Sequence, residues 1–273
     1  MMLDISSIPI INYHKVMPTF DIGITTRHPD QFYLDLQIIK EFNYQPVTFK
    51  DIFTAPKLPP NPIIITFDDG YEVLLEYAIP TMLEFGFRGI IYIPTDFIGQ
   101  YNNWDVQWGR YRFKHLNRKQ LCELQRSGFE IGSHGISHRP ITALSAEGFH
   151  REIAESKIIL QELLQETIYS LSYPFGKFTW QTMKETREAG YCCGLASIYY
   201  RKVDPLDEPY ALKRFNIYRF DHSGHFKRKI GLLSNTFIKA RDWLIQRGGT
   251  ATTVLQTFKS DQHRHHDRKM VND

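Results

Sequence analysis

Short apolar runs, rich in β-branched residues, alternate along this chain with longer segments whose apolar residues recur at helical spacing. Ile8–Tyr13, Ile63–Phe67, Gly89–Pro94, Phe129–Gly132, Ile168–Tyr173, Tyr191–Ser197 and Arg214–Tyr218 read as strands. Between them, Pro29–Phe42, Asn117–Ser127, Ser145–Glu166 and Thr179–Ala189 read as helices. Asn117 is a suitable N-cap, and Gly128 and Gly190 are suitable stops. Tyr71–Phe85 is a further helix that Pro80 breaks early or kinks. Gln45–Phe53 reads as a connector, the prolines 56, 59, 60 and 62 as a stiff loop, and Phe226–Gln246 as a closing helix. Strand and helix alternate about seven times, which predicts an α/β fold with a parallel sheet closed or nearly closed into a barrel. A single domain over residues 1–258 is expected, followed by a polar, disordered tail over 259–273.

Composition narrows the class without naming a chemistry. With 42% hydrophobic and 23% charged residues, the 273-residue chain can bury a full core. A net charge of +3 is too small to argue for a nucleic-acid partner. Three cysteines, two of them adjacent at Cys192 and Cys193, form no disulfide framework and fit a reducing compartment. The N-terminus lacks the basic start and apolar core of a signal peptide, and no apolar run has membrane-span length. The expectation is a cytoplasmic protein.

Candidate chemistry gathers at strand ends. The run Ile63–Phe67 stops at Asp68, Asp69 and Gly70, where Gly70 permits a turn that directs both acids beyond the strand. Such strand ends are where α/β barrels carry their chemistry, although Asp-Asp-Gly is also an ordinary surface turn. His134 and His138 follow the strand at Phe129–Gly132, spaced so that either a loop or a helical turn brings two imidazoles to one ion. Two His and one Asp leave coordination positions open for water and substrate, and the second Asp remains able to accept a proton. Tyr173-Pro174-Phe175-Gly176 ends the next strand.

These segments resemble the polysaccharide deacetylases, the NodB-homology domains of carbohydrate esterase family four. Thr66-Phe67-Asp68-Asp69-Gly70 matches the first family motif, Ser133-His134-Gly135-Ile136-Ser137-His138 the second, and Ser172-Tyr173-Pro174-Phe175-Gly176 is similar to the third. Tyr13-His14-Lys15-Val16 resembles the opening of one branch, so the likeness runs from Ile8 to Tyr218. The resemblance implies a distorted (β/α) barrel with Asp69, His134 and His138 holding a divalent metal, foremost Zn2+, with Co2+, Ni2+ or Mn2+ as alternatives. It implies Asp68 as general base, a backbone N–H near Phe175 for the oxyanion, and removal of an N-acetyl group from an amino sugar in a glycan or glycan precursor. The expected partner is therefore an N-acetylated carbohydrate. A lipid-linked or other amide substrate, or a decayed carbohydrate-binding site on the same fold, are the alternatives.

Two departures stand out. Ser172 replaces the arginine that often opens the third motif and orients the base, and no histidine matches the family's C-terminal proton donor. His222 and His225 lie in the wrong context for it. Arg214, at the last strand, is a candidate contact for Asp68 or substrate, and Tyr173, Pro174, Phe175 and His14 are the remaining candidate substrate contacts. His14 is otherwise a hydrogen-bonded rim residue. Trp104 and Trp108 read as packing over the barrel rather than a sugar platform. His263, His265 and His266 read as a solvated run, and Cys192 and Cys193 as small buried residues. Lys227, Arg228, Lys229, Lys239 and Arg241 make the last helix basic, a wet face or an anionic-surface contact.

Overall fold

A computed structural model describes residues 5–19, 23–102, 112–141, 144, 146–199, 202–234 and 236–248. Trp104, Trp108, the N-cap expected at Ser145, and the tail with its three histidines lie outside the described residues.

Eight parallel strands, among the described residues, make a barrel that is nearly closed: β1 (Ile10–Tyr13), β2 (Pro62–Phe67), β3 (Ile90–Ile93), β4 (Glu130–Ser133), β5 (Ser170–Ser172), β6 (Cys193–Ala196), β7 (Leu212–Lys213) and β8 (Phe215–Asn216). Their order is β7-β6-β5-β4-β3-β2-β1-β8. The pattern predicts one final strand where the structure has two. Lys213 pairs with Ala196 on β6, whereas Asn216 pairs with Asn12 on β1. One short stretch of chain thus borders both ends of the sheet and changes partner at Arg214. A further short strand, Gln45–Pro46, pairs β2 where only a connector was expected.

Buried on both faces, the strands are continuous in apolar character rather than alternating. Side-chain parity still sorts them. Ile10, Ile64, Ile90, Tyr92, Cys193, Leu195 and Leu212 form the barrel interior. Ile11, Ile63, Ile65, Phe67, Ile91, Ile131 and Leu171 face outward and pack with the helices, whose Phe32, Leu36, Ile39, Met82, Leu121 and Leu160 complete the larger core. Period-two alternation carries the interior set upward through Asn12, Thr66 and Ser172 toward the C-terminal mouth.

The helices differ from the sequence reading at three breaks, each with a local cause. A 3-10 turn at Glu72–Leu75 precedes a helix at Ala78–Glu84, which leaves Pro80 in a first turn where its missing N–H costs nothing. The long helix before β5 contains one π turn, Arg151–Glu155, between Ala146–His150 and Ser156–Leu164. The closing helix is two, Ser223–Lys229 and Thr236–Gly248, separated at Gly231, whose φ is +88°. Lys229, fully buried, joins them to the barrel through Asp221 at 2.6 Å and Asp242 at 2.9 Å. No helix among the described residues is long and apolar enough to cross a membrane.

Candidate active site

β2 delivers the two acids to the mouth, and the backbone turns sharply to separate their tasks. Asp69 has φ +68°, a left-handed conformation that Asp tolerates better than most residues. Gly70 follows at φ +59°, where a Cβ would lie 2.3 Å from Ile93 Cδ1. Asp68 therefore continues the interior parity of Ile64 and Thr66, while Asp69 swings toward the histidines that follow β4.

Asp69 Oδ1 lies 3.1 Å from His138 Nε2 and 3.5 Å from His134 Nε2. All three groups are buried, and one ligand atom from each lies within 4.8 Å of the others. Their chemistry fits a cation. His134 Nδ1–H donates to the Ser172 carbonyl at 2.7 Å, so Nε2 carries the lone pair and faces Asp69. Asp69 Oδ1 accepts no hydrogen bond. Burial pushes the Asp69 carboxyl up, but His138 and His134 pull it well below the usual carboxylate range. An ionised carboxylate facing two Nε2 atoms is a ready three-ligand set for a divalent ion. His115 supports the turn from behind, its Nδ1–H donating to the Asp69 carbonyl at 2.6 Å.

Asp68 is held differently. Arg214 donates from Nη1 to Oδ1 at 2.8 Å and from Nη2 to Oδ2 at 2.5 Å, a bidentate pair. Ser172 Oγ adds a bond to Oδ1 at 3.1 Å, and Asn12 Nδ2 one to Oδ2 at 3.1 Å. Arg214 also reaches Ser172 Oγ at 2.6 Å and Asn12 Oδ1 at 3.1 Å, so the four side chains interlock. Burial raises the Asp68 carboxyl, yet Arg214, His134 and His14 outweigh it and hold it down at about 2. The arginine missing from position 172 is thus replaced in space by Arg214, at the seam of the barrel.

His14, half-buried at the end of β1, completes the mouth. Its Nδ1 has no hydrogen-bond partner, and burial lowers its pKa despite Asp69 and Asp68. Phe175 stands over His138 with ring centroids 4.9 Å apart, its backbone left-handed at φ +59°. Pro174 is buried. Tyr173 is not brought to the pocket: its ring is fully buried against Phe178, and its hydroxyl donates to the Tyr210 carbonyl at 2.8 Å. As the residue after Ser172 it takes the opposite, outward parity, which is why its side chain leaves the mouth. Sequence reading missed Asn12 and the partnership of Ser172 with Asp68; the shared parity of Ile10, Asn12 and Ile64, Thr66, Asp68 was the available signal.

A parallel α/β barrel with two histidines and a carboxylate grouped beside a second, clamped carboxylate at its C-terminal mouth belongs to the hydrolase class of barrels. The polysaccharide deacetylase family model matches residues 55–194, and the chain is a member of that family, whose members are amidohydrolases acting on N-acetyl amide bonds. Bacillus subtilis (strain 168) YxkH, named for the same family, is 25% identical over 196 residues. That alignment covers 70% of this chain but 65% of YxkH, so the chain spans under two thirds of its relative's length. Among solved structures, a polysaccharide deacetylase from Bacillus cereus superposes with a TM-score of 0.68 at 22% identity, covering 82% of this chain and 68% of that one. The Streptococcus pyogenes deacetylase PplD, solved in complex with acetate, gives a TM-score of 0.65 at 19% identity over 78% of this chain and 93% of that one. These likenesses establish the fold.

Proposed function

We propose that the chain hydrolyses the N-acetyl amide of an amino sugar in a glycan or glycan precursor, releasing acetate and leaving a free amine. The carrying observation is the convergence of an ion-ready Asp69–His134–His138 set with an independently clamped Asp68. Bound there, a divalent ion, foremost zinc, supplies Lewis-acid polarisation of the carbonyl and acidifies water. Asp68 takes the proton of the attacking water, and Arg214, Ser172 and Asn12 hold both its oxygens in place so that its lone pairs meet that proton at fixed geometry. A backbone N–H near Phe175, where the chain turns left-handed, donates to the oxygen that gains charge in this reading. On the same reading, His14 and the Phe175 ring, which stands over His138, contact the acyl group and its sugar. As the C–N bond breaks, the water oxygen stays with the acetyl group and a proton passes to the amine.

Metal-loaded protein incubated with a panel of N-acetylated oligosaccharides, nucleotide-linked and lipid-linked amino sugars tests this by acetate release. Acetate from at least one member, slowed at least about 10²-fold in Asp68→Asn, is the expected result. Absence of acetate from every member, with metal bound and the fold intact, refutes it.

A further inference from the structure

The loop that carries His138 is suspended from a residue outside the three motifs. Glu152 is buried, and its carboxylate accepts the Ile136 N–H at 2.6 Å and the Ser137 N–H at 3.0 Å. It also accepts the Ser137 hydroxyl. On the other side, the Gly135 and Ile136 carbonyls accept from the Thr95 and Asp96 N–H groups, each at 3.1 Å. The loop is therefore held by its donors from Glu152 and by its acceptors from the turn after β3. Gly135 is required where it passes, since a Cβ there would lie 2.8 Å from Glu152 Oε2. The π turn Arg151–Glu155 contains Glu152, and single π turns recur at functional sites because they redirect one side chain without ending a helix.

The two histidines differ in what else holds them. His134 follows β4 directly, its N–H donates to the Ile93 carbonyl at 2.9 Å, and its ring is fixed by the Ser172 carbonyl. His138 ends the suspended loop in a left-handed conformation, φ +54°, that few non-glycine residues adopt. We propose that Glu152 is a positioning residue for the metal site, holding the 135–138 loop so that His138 Nε2 faces Asp69; this rests on the reading of Asp69, His134 and His138 as ligands. A carboxylate is needed because three donors converge on its two oxygens. Glutamine would turn an NH2 group against one set of them.

The test reads metal uptake without substrate. Apo protein, wild type and Glu152→Gln, Glu152→Ala and Ser137→Ala variants, is titrated with Co2+ and, by chelator competition, with Zn2+. Loss of an outer-shell support of this kind weakens affinity about 10–100-fold. We expect that loss in Glu152→Gln, a smaller loss in Ser137→Ala, and an altered Co2+ visible spectrum. Once His138 is removed, Glu152→Gln should cost nothing more: His138→Ala and His138→Ala/Glu152→Gln should bind equally. In His134→Ala, by contrast, the full additional loss should persist. Ser137→Ala keeps the backbone contacts and so remains informative if Glu152→Ala does not fold. Wild-type-like affinity in folded Glu152→Gln, or a full additional loss in the His138→Ala background, overturns the proposal. Failure of the wild-type protein to bind either ion instead overturns the ligand reading on which it rests.

Discussion

Arg214→Ala offers the sharpest perturbation of Asp68, the proposed base. Arg214 is 2% exposed, and its guanidinium makes a bidentate pair with Asp68 at 2.5 and 2.8 Å. Hydrogen bonds to charged groups contribute about 1.5–3 kcal/mol each, and breaking one partner of a buried pair costs about 3–5 kcal/mol. The variant should therefore unfold more easily by about that amount, unless Asp68 relieves its isolation by taking a proton. Burial alone raises this carboxyl, and Arg214 is the leading influence that lowers it to about 2. Removing the arginine moves the pKa upward. In the wild type Asp68 is ionised throughout any practical assay range; in Arg214→Ala the acidic limb of the rate profile must shift to higher pH.

Activity should fall as well, because Ser172 and Asn12 alone leave the carboxylate free to turn. Positioned general bases contribute about 10²–10⁴-fold, so a base that is present but loosely aimed should cost about 10²-fold in kcat. Arg214→Lys separates the two effects: it restores the charge, and with it the acidic limb, but a single ammonium cannot reproduce the bidentate fork. The assay is acetate release against pH for the three proteins, with metal content and urea stability measured in parallel. If Arg214→Ala keeps kcat within threefold of wild type and an unchanged acidic limb, the clamp has no role in catalysis.

Asp68→Asn should lose about 10²–10⁴-fold in kcat while retaining one metal-binding site by titration, whereas Asp69→Ala or His134→Ala should lower the metal affinity itself. Glu130, buried at the N-terminal end of β4, has its carboxyl raised from 4.5 to about 7, chiefly by burial. The folded state then holds a proton that the unfolded chain has released, so wild-type stability falls as pH rises from 4.5 toward 7. Urea melts of Glu130→Gln should lack that component, the variant gaining up to about 3 kcal/mol on the wild type over this window; a constant difference across it refutes the assignment. Lys229→Met removes the buried ammonium shared by Asp221 and Asp242 and leaves Arg241 alone to pair both, so it should cost at most about 3–5 kcal/mol, read as a drop in melting temperature.

Much of this molecule was legible because its signals are local. A β-branched run ending in two acids and a glycine marks both β2 and the turn beyond it. Asn117 and Thr179 announce helix starts, and each does accept the backbone N–H three residues on. The helical errors are also local, and share one cause. Apolar periodicity reads through a proline, a π turn or a glycine that interrupts hydrogen bonding without interrupting the stripe. Glu72–Leu75, Arg151–Glu155 and Gly231 all sit inside segments whose spacing looks continuous.

What was not legible is whatever the barrel brings together from far apart. Ser172 looked like damage to the third motif because the motif is a local pattern, and the compensating arginine lies between two short strands that pair with opposite ends of the sheet. Arg214 and Asp68 meet across 146 positions of sequence, and Asn12 and Arg214 across 202. The same geometry bears on whether the site has decayed. Burying an arginine with an aspartate is commonly no better for stability than a well-packed apolar pair, since desolvation offsets most of the attraction. Asp68, Arg214, Asn12 and Ser172 form an interlocked polar cluster at the one end of the barrel where an ion-ready triad also stands. A sugar-binding relic needs no ionised, two-sided clamp on a carboxylate beside such a triad. A base that must present its lone pair to water in one orientation does.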